Sequence, residues 1–157
     1  MKVNINEKTI VSCGGVVIFR GKALVLYHKS RLGVGWVLPK GKQERQESHE
    51  ETACREVREE TGSKVKIIKP LGKTQYSFSR TGTIIKKTVH WYLMSAASYY
   101  CKPQWSEGFS DGGFYKQHEA YHLLRYQDEK EILCRAFAEY ALSNKENERF
   151  EQARSRR

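Results

Sequence analysis

Runs of β-branched and aliphatic residues set the first part of the chain. Thr9 to Arg20 (TIVSCGGVVIFR) and Ala23 to His28 (ALVLYH) read as two strands, and Arg20-Gly21-Lys22 between them reads as a hairpin turn. Leu32 to Gly35 reads as a glycine-bearing loop, and Trp36-Val37-Leu38 as a short strand stopped by Pro39. The period then changes. Ser48 is placed as a helix N-cap with Glu51 as its capping-box partner. Ala53, Val57 and Thr61 give an inner stripe at i, i+4 and i+8, and Gly62 stands where a helix ends in the left-handed conformation. Val65 to Pro70, Leu71 to Phe78, Thr83 to Ala96 and Gly112 to Lys116 read as strands, with a turn at Arg80-Thr81-Gly82. Helices of about Gln117 to Arg125 and Asp128 to Ser143 follow. The order predicts a mixed α/β fold, a single domain over 1–143, and a charged tail, 144–157, that buries little and frays.

Charge sharpens this picture. The 157 residues carry 28 Lys and Arg against 18 Asp and Glu, a net charge of +10. Met1 to Gln43 holds one acid, Glu7, and Ser63 to Ser106 holds none. Between them, Gly41 to Gly62 has seven Glu against four Lys or Arg. The basic excess suggests a polyanionic partner, whether nucleic acid, anionic lipid or a phosphate-rich small molecule, and one acidic segment stands apart within it. No apolar run is long enough to span a bilayer, and the start lacks the apolar core of a signal peptide. Cys13, Cys54, Cys101 and Cys134 are scattered without zinc-ligand spacing and fit a reducing compartment, so a cytoplasmic location and no membrane association are expected. His118 and His122 lack a third ligand and read as surface residues.

On the predicted helix Glu56, Glu59 and Glu60 stand at i, i+3 and i+4, so three carboxylates share a face. Their mutual repulsion is reversed by a cation, and a cluster of hard oxygen donors selects Mg²⁺ or Mn²⁺. Arg55 is eight residues from Glu47, close to two turns, and pairs with it to steady the cluster. Gly41 lets the preceding loop approach closely and offer a carbonyl.

Gly41, Glu47, Arg55, Glu56, Val57, Glu59, Glu60 and Gly62 together resemble the Nudix box, and a chance match in so short a chain is on the order of one in a million. Ser63 departs from the apolar residue usual after the last glycine, and Val65 is expected to take its packing role. The resemblance implies an α/β/α sandwich with a central mixed sheet, and hydrolysis of a phosphoanhydride. It makes Glu56 and Glu60 the principal metal ligands, Glu59 a further ligand or a residue that orients water, and Gly41 or its neighbour a carbonyl donor. It also implies a carboxylate beyond the box, for which Glu107 is the candidate, as base or ligand.

Over about Ser12 to Leu133 the chain is similar to the branch acting on diphosphoinositol polyphosphates and diadenosine polyphosphates. Lys29, Ser30, Arg31, Lys40, Lys42, Lys86, Lys87 and His90 are the candidates to hold phosphates. Tyr76, Phe78, Trp91, Tyr99 and Tyr100 could stack adenine instead. The basic excess favours an inositol pyrophosphate as substrate. The alternatives are a dinucleoside polyphosphate, capped RNA, a nucleoside triphosphate, or binding without catalysis. No other nucleic acid is expected as a partner, and a monomer is favoured.

Overall fold

The computed structural model describes residues 4–31 and 33–157. Leu32, the first residue of the expected loop, lies outside them. The elements in chain order are β1 (Asn6–Phe19), β2 (Lys22–Ser30), β3 (Gly33–Val37), β4 (Lys40–Lys42), α1 (His49–Thr61), β5 (Val65–Arg80), β6 (Thr83–Ala96), β7 (Phe109–Lys116), α2 (Gln117–Leu123) and α3 (Gln127–Ser155). The strands form one mixed sheet in the order β3-β2-β1-β6-β5, with β4 paired to β1 and β7 to β2. β1 runs parallel to β6 from Asn6↔Thr83 to Ile18↔Ser95, and the other pairings are antiparallel.

Alternation along β1 and β6 divides the core between two faces. Cys13, Val17, Tyr92 and Met94 pack with Ala53 and Val57 of α1. Val16, Ile18, Trp91 and Leu93 pack with Leu124 and with Ile132, Leu133 and Ala136 of α3. This is the α/β/α sandwich that the sequence implies, with a helix layer on each side of the sheet.

The hairpin turns fall where expected. Arg20 and Gly21 both take positive φ, at 48° and 75°, and Thr81 and Gly82 do the same at 46° and 76°. Val65 to Phe78 is one strand rather than two. The interruption expected at Pro70-Leu71 appears as register shifts between Ile67 and Lys69 and between Pro70 and Gly72. β4 is too short to leave a period in the sequence, and β3 occupies most of the expected loop. The second terminal helix runs past Ser143 to Ser155, with every residue from 144 onward exposed.

The acidic helix begins at Ser48 and ends at Gly62 as read, with the Ser48 half of the expected capping box formed. The Ser48 side chain accepts a hydrogen bond from the Glu51 N–H at 3.1 Å, and Gly62 closes the helix at φ 69°. Ala53, Val57 and Thr61 are fully buried, and Thr52 and Glu60 are buried with them. Ser63 is buried too, its N–H donating to Thr61 Oγ1 at 3.1 Å, while Val65 packs against the α1 face of the core. No helix among the described residues is long and apolar enough to cross a membrane.

Candidate active site

Arg55 organises the acidic helix. Its Nε and Nη2 donate to the two oxygens of Glu47 at 2.6 and 2.9 Å, and Nη1 donates to Glu56 Oε1 at 2.9 Å and Glu59 Oε2 at 3.1 Å. Nη2 also reaches the Lys42 carbonyl at 3.0 Å. The Glu47–Arg55 pair therefore forms, but Glu47 reaches it from the loop before Ser48 rather than along two turns of helix. Such a two-pronged contact matches the planar guanidinium fork. It holds the Glu47 carboxyl down at about 2, with the Glu44 N–H and the Thr52 hydroxyl adding to the effect.

Glu60 is treated differently. It is 4% exposed, and its Oε2 accepts a hydrogen bond from the Lys40 N–H at 3.1 Å. Burial, and then the charge of Glu56, push its carboxyl well above the usual range, with Glu107 adding to the rise. Burial also raises Glu56, against the pull of Arg55, and Glu59 and Glu107 reinforce the shift. Glu56, Glu60 and Glu107 thus press on one another across the gap between α1 and the 3₁₀ turn Trp105–Glu107. Backbone bonds sew that turn to the helix end: the Lys102 N–H donates to the Thr61 carbonyl at 2.7 Å and the Gln104 N–H to the Glu60 carbonyl at 3.0 Å.

Gly41 explains why no side chain is tolerated beside this cluster. A Cβ there would lie 2.0 Å from both Cδ and Oε2 of Glu56. Among the described residues no three His, Cys, Asp or Glu side chains converge as a closed metal site; Arg55 draws Glu56 and Glu59 to itself. The all-oxygen donor set, the bare glycine against Glu56 and the strained burial of Glu60 nevertheless fit a hard divalent cation.

These shifts give a pH prediction. Above the ordinary carboxyl value of 4.5 and up to the raised one, folded Glu60 keeps a proton that the unfolded chain has released. Stability without metal therefore falls as pH rises through that window, and a cation that binds the ionised form stabilises more at its upper end. Melting in EDTA and in Mg²⁺ across about pH 5 to 8 should show a Mg²⁺ shift that widens as pH rises, flattened in Glu60→Gln. A shift of constant size in the unaltered protein contradicts the assignment.

Beside the carboxylates lies a cavity of about 540 Å³, lined by His28, Ser30, Val37, Leu38, Lys40, Glu60, Tyr76, Lys87, Glu107, Phe109, Tyr126, Asp128 and Glu129. Of the expected phosphate-binding residues it contains Ser30, Lys40 and Lys87. Lys29 and Arg31 are exposed outside the lining, and the Lys29 N–H is tied to the Gly108 carbonyl at 2.9 Å. Lys42 is exposed as well. Lys86 and His90 do not share the site of Lys87. The two-residue period of β6 turns them to the other sheet face, where Lys86 pairs with Glu7 at 3.2 Å and His90 stacks on His49 with ring centroids 4.0 Å apart. Trp91 is core, its Nε1 donating to Thr74 Oγ1 at 2.9 Å. Tyr99 packs edge-on against Phe19 and Phe114, and Tyr100 is exposed outside the lining.

The cavity also contains residues that the sequence reading passed over: His28, Phe109, Tyr126, Asp128 and Glu129. His28 Nε2 lies 3.0 Å from the Glu107 carbonyl, and its ring packs on Phe109 at 4.6 Å. Glu129 pairs with Lys40 at 3.3 Å. Burial works against the Lys40 ammonium, but Glu129, with Tyr76 and Glu60, holds its pKa above the ordinary value. Lys87 is pushed down, by burial first and then by Lys40, and its Nζ lies 5.9 Å from the centre of the Tyr76 ring.

Known proteins share parts of this sequence and its fold. Residues 10–136 match the NUDIX domain. A Mycobacterium tuberculosis protein carrying the name mutator protein MutT4 is 49% identical over 59 residues, 38% of this chain and 24% of that protein. A Bacillus subtilis protein carrying the name 8-oxo-dGTP diphosphatase YtkD is 43% identical over 72 residues, 46% of this chain and 42% of that protein. The chain thus spans less than half the length of either. A NUDIX hydrolase from Nitrosomonas europaea superposes with a TM-score of 0.68 at 19% identity, over 83% of this chain and 90% of that one. The C. elegans Ap4A hydrolase, solved as a binary complex, gives 0.62 at 16% identity, over 85% and 98%. With the fold, the acidic helix and the matched span in agreement, the chain belongs to the Nudix family.

Proposed function

We propose that the protein is a divalent-cation-dependent pyrophosphohydrolase of nucleoside polyphosphates, with the nucleobase entering the cavity and the phosphates lying against α1. The observation that carries this reading is the lining of the cavity. Tyr76, Phe109 and Tyr126 give it aromatic walls, and its charged groups are four carboxylates against two ammoniums. An inositol pyrophosphate calls for a ring of cations. Most of the basic residues expected to form one lie outside the lining, so that substrate is not preferred. The name of the Bacillus subtilis relative, which mentions 8-oxo-dGTP, points toward nucleotides as well.

Glu56 and Glu60 would hold the cation, with Glu59 as a further ligand. When bound, it supplies neutralisation of phosphate charge and acidification of the attacking water. Arg55 orients Glu56 and Glu59 and is itself locked by Glu47. Glu107, which lines the same cavity, would take the proton of the water. Lys87 meets the phosphate next to the base, while Tyr76 and Tyr126 flank the base itself. A dinucleoside polyphosphate is the second reading. It is favoured by Phe78, which stacks on Tyr76 at 6.1 Å and extends the aromatic face beyond the cavity lining.

The test is release of phosphate and pyrophosphate, with Mg²⁺, from nucleoside and deoxynucleoside triphosphates (oxidised guanine forms included), diadenosine polyphosphates, diphosphoinositol polyphosphate and capped RNA. Nucleotides should exceed the inositol substrate by at least about tenfold in kcat/KM, the difference one buried charge contact makes. Preference for the inositol substrate would overturn the reading.

A further inference from the structure

Glu129 breaks the rule of its own helix. It stands at i, with Ile132, Leu133 and Ala136 at i+3, i+4 and i+7, so it lies on the stripe that α3 turns into the core. It is 3% exposed. A carboxylate so placed persists only when both oxygens are satisfied. Oε1 accepts a hydrogen bond from the Leu38 N–H at 2.6 Å, and Oε2 accepts one from Lys40 Nζ at 3.3 Å. Leu38 and Lys40 flank Pro39, and the N–H of Lys40 is the one that donates to Glu60. One carboxylate on α3 therefore fixes the turn beside the acidic helix and cancels one of the two ammoniums in the cavity lining.

We infer that Glu129 is a specificity-determining residue: its charge makes the inner cavity accept an uncharged ring and refuse a further phosphate. The inference rests on the reading that the non-phosphate end of the substrate enters the cavity. Paired with Glu129 at 3.3 Å, the ammonium of Lys40 is taken up inside the protein, and an incoming phosphate meets the carboxylates of Glu129 and Asp128. Without that charge, Lys40 and Lys87, which line the same cavity, lose the carboxylate that offsets them most and keep Glu60, and an anion relieves their repulsion. Glutamine is the informative replacement, because its carbonyl can still accept the Leu38 N–H and keep the turn in place.

The experiment is calorimetric binding of inositol hexakisphosphate and of a non-hydrolysable nucleoside triphosphate to the full chain in Mg²⁺. Glu129→Gln should shift the ratio of the two dissociation constants about tenfold toward the inositol ligand. Lys40→Met should shift it the other way, and the double variant should return it close to the starting value. Lys40→Met carries the test alone if Glu129→Gln does not fold. A ratio that stays fixed in these variants, both ligands weakening equally, would show a purely structural carboxylate and overturn the inference. If the unaltered protein already binds the inositol ligand more tightly, it is the nucleotide reading that fails. A nucleotide preference that Glu129→Gln leaves untouched defeats only the role given to Glu129.

Discussion

Glu56→Gln is expected to lower kcat by about 10³-fold or more, a loss of ~4 kcal/mol in transition-state stabilisation. The change removes a charge and almost nothing else. Glutamine has the same length, and its amide oxygen can still accept the bond from Arg55 Nη1 that now ends on Glu56 Oε1. Arg55 keeps both prongs on Glu47 and its contact with Glu59, so the scaffold of the site survives. Loss of the Glu56 charge also removes the share of the Glu60 rise that Glu56 causes, leaving the larger share due to burial. The metal-free variant should therefore melt no lower than the parent, which separates lost chemistry from lost folding. Equal turnover by the variant would sink the assignment of Glu56 as a cation ligand.

Gly41→Ala tests the same carboxylate from the other side. The added methyl would lie 2.0 Å from Cδ and Oε2 of Glu56, a distance that cannot persist. The backbone has little room to yield. Gly41 pairs with Cys13 in the β1–β4 ladder, and the next residue back, Lys40, holds Glu60 through its N–H. The side chain of Glu56 is the flexible partner, so it swings away while the fold persists. We expect kcat/KM to fall about 10²-fold, the scale seen when catalytic geometry slips by an ångström, with a change in Tm of only a few degrees. A Tm collapse would mean that the strand moved instead. Full activity would mean that the orientation of Glu56 is irrelevant.

Local signals carried most of the fold. Ser48, Glu51 and Gly62 delimit α1 through bonds that these residue types make with their own neighbourhood, and the pair Arg20-Gly21 forces a tight turn between two β-rich runs. The three carboxylates of α1 were legible because a helix converts spacing directly into a shared face. What lay outside the sequence was the choice among the basic residues. Lys86, Lys87 and His90 are near neighbours in the chain, yet the sheet period sends Lys87 to the cavity and the other two to the α1 side. Applying strand alternation to β6 would have separated them. The cavity wall contributed by α3 depends on a tertiary contact with the β3–β4 turn, which no local pattern encodes. One trace of it was present all the same: Glu129 occupies an apolar-stripe position, where an acid needs a buried partner.

That the carboxylates of α1 form a divalent-cation site is the proposal on which the chemistry rests. It is met most directly by titrating Mn²⁺ into the metal-free protein at neutral pH and following the free-ion electron paramagnetic resonance signal. The unaltered chain should deplete that signal as a saturable site, Glu47→Gln should weaken the depletion by loosening Arg55, and the Glu56→Gln/Glu60→Gln variant should abolish it. Depletion of the same extent in the unaltered chain and the double variant would place the metal elsewhere and contradict the account.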